Sequence, residues 1–241
     1  MSIRMALVNV SCKRGRTGIL RNINCKLAAG GLIYVTGKNG AGKSALLQLM
    51  ATAITPDEGC VTYTRLMQEE RGGVSRQQLA VQDVRGITGY MPQHFRGRRE
   101  MTVERYLTYM AQHKGVPQHL IEAWVAKWLA ESRLSALAGT KLRALSGGQL
   151  QQVGLLQALI NQPRICILDE PFEGLDHGEK AWFKRRLRKL AFHSLVVIST
   201  HLLEEIERSA YDRLLMLEAG ELAFDGGTDE VDKVMGRFLE G

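Results

Sequence analysis

Apolar positions along this chain follow two periods. Residues 3–10 alternate weakly, with Ile3, Met5, Leu7 and Val10 on one face. Residues 19–27 read the same way, after the turn material Arg14, Gly15, Arg16, Thr17 and Gly18. Both stretches predict strands of a small β-rich lobe. Short apolar runs follow at 32–36, 60–63, 87–91, 165–168 and 195–199. Such runs, bounded by glycine, proline or charge, predict further strands, several of them buried on both faces. Helical spacing takes over between them. Leu46, Leu47, Met50 and Ala53 share one face of a helix over 45–53. Leu120, Ile121, Trp124, Val125, Trp128 and Leu129 do so over 117–131, where the tryptophans read as core packing. Further helices are predicted over 101–114, 146–160, 178–191 and 202–208, with a short one at the C-terminus. Residues 65–86 lack a clear period and read as loop and short helix. Residues 214–217 and 221–224 flank Ala219-Gly220 as a hairpin.

Apolar strands alternating with helices predict an α/β fold with a mostly parallel sheet covered on both faces. The run from Gln93 to Gly139 is helical only and interrupts the alternation. One domain over 1–241 is therefore predicted: residues 1–92 and 156–241 form the β lobe and core, and 93–155 an inserted helical subdomain. The composition, 45% hydrophobic and 24% charged over 241 residues, excludes a disordered chain. A net charge of +7 permits contact with nucleic acid or acidic lipid without demanding it, and no nucleic-acid partner is expected. Cys12, Cys25, Cys60 and Cys166 lack paired spacing and read as buried, reduced thiols. The apolar runs are too short to span a bilayer, and residues 1–30 lack the apolar stretch of a signal peptide. A cytoplasmic protein is expected, unless a partner holds it at a membrane.

The chemistry is concentrated first at Gly37, Lys38, Asn39, Gly40, Ala41, Gly42, Lys43 and Ser44, which match G-x-x-x-x-G-K-[ST] at every fixed position. The segment lies between a predicted strand and a predicted helix, the order a phosphate cradle requires. Glycines let successive N–H groups turn inward, and the helix start adds unpaired N–H groups and a positive dipole end. Lys43 brings a charge for the β- and γ-phosphates, and Ser44 a hydroxyl for Mg²⁺. Asp169 and Glu170 stand at the end of an apolar strand, where open α/β sheets bind ligands. One carboxylate there can hold Mg²⁺ while the other faces an attacking water.

Leu145-Ser146-Gly147-Gly148-Gln149, taken with the phosphate loop, Gln93, Asp169-Glu170, Gly174-Leu175-Asp176 and His201, resembles the nucleotide-binding subunit of ATP-binding cassette (ABC) proteins. Six motifs occur in family order over essentially the whole chain. The resemblance implies a P-loop core of RecA type and an ATPase. It implies that residues 37–44 and Ala45 line the ATP phosphates, and that Ser44, Gln93 and Asp169 meet Mg²⁺. Glu170 would be the general base and His201 the γ-phosphate contact; Gln93 would also contact the attacking water and sense a membrane subunit. Ser146, Gly147, Gly148 and Gln149 would close on ATP held by a second ATP-binding subunit, identical or not, with Asp176 in the loop crossing that interface. The implied partner is an integral membrane subunit, and the implied location the inner face of the cell membrane.

The chain departs from the family pattern in four places. No aromatic residue precedes Tyr34, so the adenine-stacking ring is missing, and Arg14 or Lys13 falls nearest its place. Ala45 replaces a threonine, Gln152 an arginine, and Glu173-Gly174 the commoner residues before Leu175-Asp176. Residues 89–93, 101–104, 109–110 and 199–207 are similar to the ATPases of bacterial exporters; an importer subunit is the alternative within transport. A soluble ABC ATPase acting on ribosomes or DNA is the alternative outside it, although the chain holds one cassette and leaves no room for a long coiled coil. Intact Lys43, Asp169, Glu170 and His201 argue against a non-hydrolytic binding module. Arg96, Arg98 and Arg99 read as a solvated basic loop or as a patch for an acidic partner segment. The basic side of the 178–191 helix reads as solvated.

Overall fold

The computed structural model describes residues 2–68, 73–207 and 209–230. In chain order the strands and helices are β1 (Ser2–Arg14), β2 (Thr17–Ala28), β3 (Leu32–Thr36), α1 (Lys43–Met50), β4 (Glu58–Gln68), β5 (Val74–Gln78), α2 (Val81–Ile87), β6 (Thr88–Met91), α3 (Val103–His113), α4 (Ile121–Glu131), α5 (Gly147–Leu159), β7 (Ile165–Asp169), α6 (His177–Ala191), β8 (Leu195–Ser199), β9 (Arg213–Glu218) and β10 (Glu221–Gly227). Two sheets result. One is antiparallel in the order β2-β1-β4-β5; the other runs β10-β9-β3-β8-β7-β6. In the second, β9, β3, β8, β7 and β6 are parallel and only β10 is antiparallel.

The short apolar runs become strands because both of their faces are covered. Leu32, Tyr34, Cys166, Leu168, Val196 and Ile198 pack into one core with residues of α3, α4, α5 and α6. Their neighbours Ile33, Val35, Ile165, Ile167, Val197 and Leu195 pack into a second core, with α1 and the antiparallel sheet. This is the period of two made visible: alternate residues of one strand enter different cores. Parallel strands sandwiched in this way carry all their loops of one sense to one edge, and that edge receives the site.

Several expectations need correction. β5 falls in the stretch that reads as loop and short helix: Val-Ser-Arg-Gln-Gln offers no apolar face and is held by backbone pairing to β4 at the sheet edge. After His201 the structure has a single 3-10 turn, Leu203–Glu205, rather than a helix. There the Glu205 carboxylate turns inward to accept from Thr200 Oγ1 at 2.8 Å and from Lys180 Nζ at 3.0 Å. Arg208 and the predicted C-terminal helix lie outside the described residues. α1 stops at Met50, so Ala53 is exposed, and Leu120 precedes α4 and is exposed too. All four cysteines are free, but Cys60 is exposed rather than buried. α5 runs unbroken through residue 155, where the helical subdomain was expected to end.

The basic side of α6 is engaged rather than merely solvated. Arg188 pairs with Glu207 at 2.6 Å and with Asp212 at 2.5 Å. Arg186 pairs with Glu131 and lies over the rings of Trp128 and Trp182, at 5.2 and 5.1 Å, tying α4 to α6.

Candidate functional site

The phosphate loop leaves β3 and enters α1. Gly37, Gly40 and Gly42 have φ of 147°, 83° and 103°, values that side-chain-bearing residues rarely adopt. α1 has no side-chain cap at Gly42 and no acidic residue in its first turn. Its leading N–H groups and dipole therefore face the loop uncompensated by protein carboxylate. Lys43 is 6% exposed, and its Nζ donates to the carbonyls of Gly37 at 2.8 Å and Lys38 at 3.3 Å. The ammonium thus sits across the loop it closes. This cradle can grip a polyphosphate.

Beside it, β7 ends in Asp169 and β8 in Ser199, which are direct cross-strand neighbours. Asp169 is 1% exposed and Ser199 fully buried. The Ser199 hydroxyl donates to Asp169 Oδ1 at 2.5 Å and accepts the Glu170 N–H at 2.8 Å. Glu170 has φ of 46°, a left-handed conformation costing about 1–3 kcal/mol for a residue of its type. Local contacts offset that cost. Besides the bond to Ser199, its carbonyl accepts from Gln151 Nε2 at 2.9 Å, and its Oε2 lies 2.8 Å from His201 Nδ1. With Glu170 ionised, the imidazole donates from Nδ1. Gln93 lies two residues beyond Met91, which pairs with Leu168 of β7, so it stands at this same sheet edge. Tyr90 is also near: burial, and then the charge of Asp169, push its phenol up to about 12.

A second group of residues gathers around α5 and α6. Ser146 caps α5 by accepting from Gln149 N–H at 3.2 Å, and the Gln149 side chain accepts from Ser146 N–H at 3.0 Å. Asp176 and Glu179 form the same reciprocal box at the start of α6. A Cβ on Gly148 would lie 2.4 Å from the Gly174 carbonyl oxygen, so only glycine lets the Asp176 loop pass this closely. Gln152, where the family has arginine, is buried and donates to Glu179. Residues 146–149 are thereby locked to residues 174–179. Among the described residues no hydrogen bond or ion pair joins 146–149 to 37–45. Arg14 is exposed at the tip of the β1–β2 hairpin, whereas Lys13 is engaged with Asp57 and Glu58. β2 passes over the phosphate loop: a Cβ on Gly42 would meet Leu20 Cδ2 at 2.8 Å and the Ile19 carbonyl at 3.0 Å.

The sequence reading missed Ser199, Gln151 and Glu179. Ser199 alone left a trace, as a hydroxyl closing an otherwise apolar strand just before Thr200-His201.

The model of the ABC transporter family matches residues 20–173, the stretch carrying the phosphate loop, residues 146–149 and the Asp169-Glu170 pair. The chain belongs to the ABC transporter family. It is an ATP-binding subunit of that family, and an ATPase. It is 32% identical over 224 residues to the Nod factor export ATP-binding protein I of Bradyrhizobium diazoefficiens, covering 92% of this chain and 70% of that protein. It is 30% identical over 226 residues to the protein of the same name from Rhizobium meliloti, covering 93% of this chain and 64% of that one. Among solved structures, the ATP binding subunit of an ABC transporter superposes with a TM-score of 0.81 at 24% identity, covering 96% of this chain and 93% of that one. A bacterial Atm1-family ABC exporter with ATP bound superposes with a TM-score of 0.79 at 25% identity, over 99% of this chain and 41% of the exporter. A dimeric bacterial ABC transporter cassette gives 0.76 at 24% identity, over 93% of this chain and 98% of that one. The expected α/β P-loop fold with its antiparallel lobe is the ABC cassette fold.

Proposed function

We propose that this ABC ATPase powers export through a separate membrane subunit, by pairing two cassettes around ATP. The observation that carries the catalytic part is Glu170. Its carboxylate is held by His201, and its backbone by Ser199 and Gln151, beside the phosphate loop. Residues 37–45 bind the phosphates through backbone N–H groups, with Lys43 neutralising charge on the β- and γ-phosphates. With Oε2 engaged by His201, Oε1 of Glu170 is the oxygen that takes the proton from the attacking water. Nε2 of His201 is left to face a γ-phosphate oxygen.

The donor set suits Mg²⁺. Asp169 keeps Oδ2 beyond its bond to Ser199, and Ser44 and Gln93 add a hydroxyl and an amide oxygen, all hard donors. No cluster of three His, Cys, Asp or Glu that could hold a metal alone occurs among the described residues. Few protein ligands plus substrate phosphates is how Mg²⁺ is usually held. When bound, the ion would neutralise charge developing on the phosphate oxygens. In this reading Ser146 to Gln149 meet the ATP of the second subunit, with Asp176 at the shared interface.

The export reading draws support from the rhizobial relatives, which are Nod factor export ATP-binding proteins. No described helix is long and apolar enough to cross a membrane; the proposed path lies in a separate subunit. The helical subdomain, 93–155, and the basic residues Arg96, Arg98 and Arg99 would face it at the inner side of the membrane. Arg98 is stacked 4.4 Å from the Tyr109 ring centre, which stiffens that face. Affinity purification from detergent-solubilised membranes tests this. An integral membrane protein is expected in stoichiometric amount; ribosomes or DNA in its place would move the protein to the soluble branch of the family.

Base recognition carries a further expected result. Every phosphate contact is blind to the base, and Arg14, projecting from the hairpin that overlies the loop, would stack on any purine. Such stacking is worth about 0.5–2 kcal/mol. ATP and GTP are expected to be hydrolysed within about tenfold of each other, about 1.4 kcal/mol. Arg14→Ala is expected to raise both Michaelis constants and leave the maximal rates nearly unchanged. Steady-state kinetics with both nucleotides checks this; a hundredfold preference for ATP would point to a base-reading contact elsewhere.

A further inference from the structure

We infer that Ser199 is a positioning residue for hydrolysis, setting the metal-ligand carboxylate and the general base with one hydroxyl. The inference rests on the catalytic reading above and adds a residue to it.

The direction of the two hydrogen bonds is forced. A backbone N–H can only donate, so Ser199 Oγ must accept from Glu170 N–H, at 2.8 Å. The single hydroxyl proton is then directed to Asp169 Oδ1, at 2.5 Å. Oδ1 is thereby tied to the protein, and Oδ2 is the oxygen left for the metal. The same atom anchors the backbone N–H of Glu170, a residue with a left-handed φ of 46° whose carboxylate meets His201. Ser199 is fully buried and lies directly across from Asp169, between β3 and β7, so no water can replace its hydroxyl without opening the sheet. Gln151 secures the carbonyl on the other side of Glu170, at 2.9 Å. Alanine at 199 would leave the Glu170 N–H and Asp169 Oδ1 without these partners in a dry setting, and both groups would be free to reorient.

Partners that orient metal ligands typically change metal affinity or activity by about 10–100-fold. The test uses the purified chain with Ser199→Ala, Ser199→Thr and Ser199→Cys. Mn²⁺ affinity is read by electron paramagnetic resonance with a non-hydrolysable ATP analogue bound. Turnover with Mg-ATP, metal-free nucleotide affinity and melting temperature are measured alongside. Ser199→Ala is expected to bind Mn²⁺ about tenfold more weakly and to lose about 10–100-fold in kcat, with metal-free nucleotide affinity unchanged. Threonine, which keeps the hydroxyl, is expected to recover most of both. Cysteine, which fills the space with a weak donor, is expected to resemble alanine. Wild-type Mn²⁺ affinity and kcat within twofold in Ser199→Ala would overturn the inference. So would full recovery by cysteine, which would reduce the residue to a space filler. If the alanine variant does not fold, the threonine and cysteine pair decides by the same criterion. Glu170→Gln run in parallel separates the two levels: turnover at the wild-type rate there would remove the catalytic reading itself, whereas a slow Glu170→Gln beside a normal Ser199→Ala would remove only the role of Ser199.

Discussion

Lys43→Ala is expected to lower ATP turnover at least about a hundredfold, the scale of losing one preorganised charge contact. Lys43 is only 6% exposed and its ammonium already lies against the loop carbonyls of Gly37 and Lys38, so no reorganisation is needed for it to meet phosphate. Phosphoryl transfer relies on positioning and charge stabilisation more than on covalent help from the protein. Neighbouring cations cannot substitute: Lys38 lies in an exposed part of the loop, and Arg14 is at a hairpin tip. Phosphate release by the purified variant, with circular dichroism to confirm folding, checks the result. Near-normal turnover would overturn the assignment of the loop.

The second large effect concerns assembly. Glu170→Gln keeps the size of the side chain and removes the proposed proton acceptor, so ATP is expected to remain bound and two chains to stay clamped around two nucleotides. Size-exclusion chromatography with Mg-ATP is expected to show a stable dimer for this variant. Adding Ser146→Arg is expected to abolish it. Ser146 caps α5 through Gln149 N–H, and a cap replacement costs about 0.5–2 kcal/mol locally. The larger loss would come from a long cation at the helix start, against the N-terminal N–H groups proposed to meet the second subunit's phosphate. Because residues 146–149 are packed on Gly174 and linked through Gln152 to Glu179, the disturbance would reach the Asp176 loop as well. A monomer for Glu170→Gln under all nucleotide conditions would count against pairing between identical chains and favour a different second subunit.

The two levels of description meet unevenly along the chain. β3, β7 and β8 were legible to the residue or nearly so, because a strand buried on both faces is written as an uninterrupted apolar run. β5 was not, since an edge strand with an exposed, polar sequence depends on a partner's backbone and leaves little mark on its own side chains. The helix expected after His201 gives way to a single 3-10 turn at Leu203–Glu205. Glu205 is instead drawn to Thr200 and Lys180, and that contact decides the local backbone.

By itself the sequence determined the elements whose cause is local: the glycines that allow a phosphate cradle, Lys43 and Ser44 within it, and the carboxylates at the end of β7. Each follows from the conformational freedom or bonding capacity of residues a few positions apart. Only the tertiary structure decided how those parts act on one another. Ser199 reaches Asp169 across 30 residues, His201 reaches Glu170 across 31, and Gln152 reaches Glu179 across 27. Such bonds depend on which strands and helices become neighbours and in what register, and a one-residue shift of β8 against β7 would turn the Ser199 hydroxyl to the other face of the sheet. Glu170, the proposed general base, is therefore visible in the sequence as a residue type at a strand end, whereas its aim is fixed by hydrogen bonds that exist only once the sheet has formed.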